Sequence, residues 1–151
     1  MSTAVIQHEI EIDASPAAVW AVLADVDSYP DWNPFIRRLH GDLREGERLE
    51  VQTAPPGGRA MSLTPTVLAA DPGRELRWLG HFLVPGLVDG EHGFRIEELS
   101  SGRSRLVQSE RFSGVLVGLV QKTLRRAESG FAQMNVAVKA RAEAAVAEAP
   151  S

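Results

Sequence analysis

Hydrophobic and polar positions along the chain follow two periods, and the change from one to the other lays out the fold. From Ala4 to Ile12 the period is two. Ile6, His8, Ile10 and Ile12 share one side, and Gln7, Glu9 and Glu11 share the other, as in a strand with one buried face. From Val115 to Glu148 the period is that of a helix. Leu116, Leu119, Val120, Thr123, Leu124, Ala127, Phe131, Met134, Val138 and Ala142 recur at spacings of three and four, with Lys122, Arg125, Arg126, Glu128, Lys139, Arg141 and Glu143 between them. At ~1.5 Å per residue this amphipathic helix would run on the order of 45 Å, enough to cross a small domain. Gly130 interrupts it at a cost of ~1 kcal/mol relative to alanine. Beside Ser129 it predicts a bend, or a place where Gly130, Phe131, Met134 and Asn135 leave room for a ligand between helix and sheet.

The middle of the chain reads as short elements divided by turn residues. Asp13-Ala14-Ser15-Pro16 is a helix start, with Ser15 as N-cap and Pro16 at the first helical position. The helix runs to about Asp25 and buries Val19, Val22 and Leu23, with Trp20 a further candidate. Pro30 and Pro34 bar a long element in the next stretch, which predicts a short turn over Ser28 to Trp32 that plugs one end of a sheet with Tyr29 and Trp32. Six strands follow, over Phe35 to Leu43, Arg48 to Thr53, Ala60 to Ala70, Glu75 to Leu83, Glu91 to Leu99 and Arg103 to Ser113. Pro65 inside the third of these predicts an edge or a bulge. Val84 to Gly90 reads as a loop whose apolar residues rim an opening. The order strand, helix, short helix, six strands, long helix describes an α+β fold with helices on one side of an antiparallel sheet. An Ala/Glu-rich tail is expected to fray.

Composition narrows the function. A chain of 151 residues can bury a core as one domain, residues 1–151. With no cysteine, disulfides and thiolate chemistry are excluded. A net charge of −4 argues against a nucleic-acid partner, and Lys122, Arg125 and Arg126 read as a solvated helix face. No apolar run is long enough to span a membrane, and Met1 to Ile6 has no signal-peptide pattern. The expectation is a cytoplasmic protein. His8, His40, His81 and His92 lack metal-ligand spacing, so no metal or cofactor is expected.

Three stretches together resemble one superfamily. They are Ile10-Glu11-Ile12-Asp13-Ala14-Ser15-Pro16-Ala17-Ala18-Val19-Trp20; Tyr29-Pro30-Asp31-Trp32-Asn33-Pro34; and Gly90-Glu91-His92-Gly93-Phe94 with Gln108-Ser109-Glu110-Arg111-Phe112-Ser113-Gly114. With the order of elements, they resemble the START-like, helix-grip superfamily (SRPBCC), which includes polyketide cyclase/dehydrase-like proteins, plant hydrophobic-ligand proteins and lipid-transfer domains. The resemblance implies a curved seven-stranded antiparallel sheet wrapped around the C-terminal helix, two short helices after the first strand, and an apolar cavity between sheet and helix. Members share this scaffold while their ligands and activities diverge.

Strand phase points His8, His92, Gln108 and Glu110 at the helix, which offers Asn135. Trp78, Phe94, Phe112, Phe131 and Met134 would wall a cavity, and Trp32 would either pack or line its mouth. An apolar pocket with a few convergent polar groups is the usual form of a small-molecule site. Buried Glu110 needs a donor, such as His92 or water. The two would either satisfy each other structurally or do general acid–base work on a carbonyl compound. A register slip of one residue would turn all these side chains outward. The leading expectation is a binding protein, not an enzyme, that encloses a hydrophobic small molecule such as a lipid or polyketide-like compound. The alternatives are an aromatase/cyclase using His92 and Glu110, and a protein-interaction module working through its outer surface.

Overall fold

The computed structural model describes residues 2–82 and 84–148. Strand β1, Ser2–Ile12, ends at the predicted helix start. There Ser15 Oγ accepts from Ala18 N at 3.2 Å, and Pro16 opens α1, Pro16–Ala24, which buries Val19, Val22 and Leu23. Replacing Ser15 with alanine removes this cap and is expected to cost about 1 kcal/mol in denaturant unfolding. A 3₁₀ turn, Val26–Ser28, leads into α2, Tyr29–Trp32. Tyr29 is fully buried, its hydroxyl donating to Leu23 O at 2.6 Å. Burial, reinforced by the nearby Asp25 charge, holds the phenol well above its ordinary pKa. Asn33 Oδ1 accepts from Phe35 N at 3.0 Å and Ile36 N at 2.9 Å, a side-chain turn that swings the chain from helix to strand.

The remaining strands are β2 Ile36–His40, β3 Glu50–Thr53, β4 Met61–Leu63, β5 Thr66–Asp71, β6 Glu75–Phe82, β7 Val88–Ser100 and β8 Arg103–Gly114. They pair antiparallel in two sheets, a five-stranded one in the order β1-β8-β7-β6-β5 and a three-stranded one in the order β2-β3-β4. This corrects the expected single seven-stranded sheet. The strand expected over Ala60 to Ala70 breaks at Thr64 and Pro65, because proline has no N–H to donate to a ladder. Its first half pairs with β3 and its second half with β6. The sheets stay joined at one end, where Leu49 N donates to Pro65 O and Val67 N to Glu47 O, at 2.9 and 2.8 Å.

Two further boundaries differ from the sequence reading. Val88 to Gly90, expected in a loop, belong to β7; the Leu83 end of the expected fourth of these strands lies outside the described residues. The C-terminal helix α3 spans Gln121–Glu148 after a 3₁₀ turn, Val117–Leu119. Leu116 N is drawn instead to Leu87 O at 3.0 Å, so Leu119 sits off the helix and is 83% exposed. Helix α3 lies across the inward face of the large sheet, burying Leu124, Phe131, Met134, Val138 and Ala142. It runs through Gly130 without a break. No ligand space exists at that point, because the Phe35 ring occupies the position a Gly130 side chain would take.

Candidate functional site

Alternation along three neighbouring strands builds the site. Leu76, Trp78, Gly80 and Phe82 of β6, Gly90, His92 and Phe94 of β7, and Gln108, Glu110 and Phe112 of β8 all face α3. The register sets Trp78 opposite His92, and His92 opposite Glu110. Trp78 therefore stacks on the His92 ring, with centroids 5.2 Å apart and planes 17° from parallel. On the other side His92 Nδ1 lies 2.8 Å from Glu110 Oε1. The same register places Gly80 opposite Gly90. Neither position carries a side chain: the Glu110 carboxyl and the Phe82 ring fill the space beside Gly90, whereas Gly80 has only Pro65 in van der Waals reach.

Both glycines line a cavity of ≈ 230 Å³. Trp78, Phe82 and Phe112 wall it from the large sheet, Val51, Met61 and Leu63 from the small one, and Val120, Leu124 and Ala127 from the helical side. Its polar side chains are Thr53, Thr123, His92 and Glu110. On the outer surface a groove shares Val51, Met61, Leu63 and Phe82 with the cavity, so the wall between them is one side chain thick.

The predicted polar residues come together in one connected row. Besides its bond to Glu110, His92 places Nε2 3.0 Å from Gln108 Oε1. Gln108 Nε2 donates to Asn135 Oδ1 at 2.8 Å, and Asn135 Nδ2 donates to the His8 carbonyl oxygen at 3.0 Å. His92, Gln108, Glu110 and Asn135 are all buried. Only His92 and Glu110 of this row reach the cavity. Gln108, Asn135 and His8 stand behind them.

The predicted apolar residues divide. Trp78 and Phe112 line the cavity, whereas Phe94, Phe131 and Met134 are fully buried in the packed half of the sheet–helix interface. Phe131 meets His92 edge-on at 4.9 Å and Phe35 at 5.5 Å. Trp32 lies away from the cavity, its Nε1 donating to Ser28 Oγ at 2.9 Å and the Arg141 guanidinium over its ring. Val120 just before α3, and Thr123, Leu124 and Ala127 on it, were visible as a stripe of apolar or small residues but not as cavity wall. The inward-phase glycines Gly80 and Gly90 line the cavity, and their parity was the sequence signal nearest to it.

Near one end of the cavity, His81 Nδ1 meets Asp89 Oδ1 at 2.6 Å on the outer sheet face, and Asp89 also accepts from Gly86 N at 3.1 Å. The His81 hydrogen bond, followed by that of Gly86, holds the Asp89 carboxyl below its ordinary range. A lowered carboxyl pKa stabilises the fold above the unfolded value, and the contribution is lost as pH falls through the folded one. Acid is accordingly expected to loosen the Val84 to Leu87 turn, read as a lower protection factor for the Gly86 amide once the intrinsic pH dependence of exchange is divided out, and Asp89→Asn should flatten that dependence.

Comparison with known proteins places the chain by sequence and by fold. No curated protein sequence matches it. Among solved structures, the Zhui aromatase/cyclase from Streptomyces sp. R1128 superposes with a TM-score of 0.78 at 19% identity, covering 96% of each chain. Norcoclaurine synthase from Thalictrum flavum, solved with dopamine and hydroxybenzaldehyde, gives 0.73 at 17% identity, covering 99% of this chain and 90% of its own. A START superfamily protein from Mycobacterium smegmatis gives 0.72 at 18% identity, covering 93% and 98%. These likenesses establish the helix-grip fold. The sequence adds the family: residues 3–143 match the model described as polyketide cyclase / dehydrase and lipid transport, and the chain belongs to that family.

Proposed function

We propose that this protein binds a compact, largely apolar small molecule in the cavity between its sheets and α3, with Glu110 as the polar anchor. The observation that carries the reading is the ≈ 230 Å³ cavity itself, lined by apolar side chains apart from Thr53, Thr123 and one carboxylate–imidazole pair. Its size lies below the roughly 300–1,000 Å³ of sites for drug-sized ligands, which favours a molecule of one or two rings over a long acyl chain. A hollow core also speaks against a role confined to the outer surface.

Native mass spectrometry followed by denaturing extraction tests the reading directly, since a co-purifying one- or two-ring compound is the expected result. The variant Ala127→Trp, which places an indole into the cavity from α3, is expected to weaken uptake of 2-naphthol at least about tenfold while the protein stays folded. Unchanged uptake in a folded variant would place the ligand elsewhere.

A second reading, a cyclase or dehydratase, is favoured by the His92–Glu110 pair at the cavity wall. Glu110 would take the α-proton of a β-hydroxy ketone and return it to the departing β-hydroxyl, so that water leaves as the C=C bond forms, and the imidazole would stabilise the regenerated carboxylate. Turnover of β-hydroxy ketones should then fall about 10²–10⁴-fold in Glu110→Gln, and absence of turnover in the unaltered protein would leave binding as the function.

A further inference from the structure

The polarity of the buried row determines what kind of ligand the cavity accepts. His8 O is a backbone carbonyl and can only accept, so the Asn135 amide must turn Nδ2 towards it, as it does at 3.0 Å. That leaves Asn135 Oδ1 facing Gln108, whose Nε2 donates at 2.8 Å. The same Gln108 Nε2 also lies 3.4 Å from a second backbone carbonyl, Phe131 O. Two main-chain acceptors therefore set both amides one way round, and Gln108 Oε1 is left facing His92 Nε2 at 3.0 Å. An amide oxygen accepts, so Nε2 carries a proton.

One proton remains to be placed, in the 2.8 Å contact between His92 Nδ1 and Glu110 Oε1. It sits either on Nδ1, giving imidazolium and carboxylate, or on Oε1, giving imidazole and carboxylic acid. In both arrangements it lies inside that bond. The other carboxyl oxygen, Oε2, thus carries no proton in either case. Oε2 lies on the Gly90 side of the carboxyl group, in the space a side chain at Gly90 would fill, and both residues line the cavity.

We infer that Glu110 presents the cavity with an obligate hydrogen-bond acceptor, and that the ligand class is one carrying a donor: a phenol or alcohol in preference to an ether or a bare carbonyl. This rests on the cavity being the binding site. Gln108 and Asn135 are positioning residues, which touch no ligand but hold His92 in the tautomer that keeps the proton off Oε2.

Three probes of one shape test it by calorimetry on the unaltered protein: naphthalene, 2-naphthol and 2-methoxynaphthalene. The expected result is that 2-naphthol binds at least about tenfold more tightly than 2-methoxynaphthalene, and that the ratio collapses in Glu110→Leu. If the ether binds as tightly as the phenol, the inference falls while the cavity reading stands. If none of the three binds, the cavity reading fails and the inference with it. An independent readout needs no variant. The ¹⁵N spectrum of His92 at neutral pH is expected to show Nε2 protonated, and an unprotonated Nε2 would overturn the assignment.

Discussion

Gly130→Ala is expected to destabilise the protein by about 2 kcal/mol, although alanine in a helix interior is ordinarily favoured over glycine by ~1 kcal/mol. The reason is a single contact. The new methyl group would land on the Phe35 ring, which is buried and held edge-on against Phe131 at 5.5 Å. A ring pinned in this way cannot swing aside cheaply, and overpacking a filled site costs ~1–3 kcal/mol or more. The sign should therefore reverse when the ring is removed. In a Phe35→Val background, Gly130→Ala is expected to stabilise by up to about 1 kcal/mol, because only the helix preference remains. Chemical denaturation of the two pairs measures both values. A destabilising alanine in both backgrounds would show that helix geometry, not the ring, requires glycine.

Gln108→Leu should have the larger effect, about 3–4 kcal/mol, despite being close to isosteric. Gln108 is fully buried and stands between two buried polar side chains, His92 and Asn135. Leucine would leave the His92 Nε2 proton and Asn135 Oδ1 without partners, at ~1–3 kcal/mol each. For a chain of this length that corresponds to a fall in Tm on the order of 10 °C. Coupling is the decisive test. If the row acts as a unit, Asn135→Leu added to Gln108→Leu should cost clearly less than the two single changes summed. Additive losses would mean that each residue is stabilised by packing alone.

Much of this arrangement is legible in the sequence because a strand has a period of two. Once β7 and β8 are placed, parity alone sends His92, Gln108 and Glu110 to the same face, and antiparallel pairing sets His92 against Glu110. Helical spacing does the same for Asn135. What parity does not carry is where side chains from distant segments end up. The room expected at Gly130 is taken by Phe35, a contact between the start of β2 and the middle of α3 that no local pattern announces. The cavity lies instead beside Gly80 and Gly90, whose pairing depends on the β6–β7 register. The division into two sheets turns on Pro65. Its missing N–H was visible, but the choice of new partners by Met61–Leu63 and Thr66–Asp71 is a property of the whole sheet.

That division also bears on how fast a ligand can come and go. The two sheets are stitched together at the Leu49–Pro65 and Glu47–Val67 hydrogen bonds, but β4 and β6 are not ladder partners. Among the described residues, Val51, Met61, Leu63 and Phe82 line both the cavity and the outer groove at that seam. Parting the sheets there breaks no ladder bond and wets on the order of 100 Å² of apolar surface, about 2.5 kcal/mol. For a guest bound as proposed, so low a threshold would leave the residence time to the guest's own affinity for the walls.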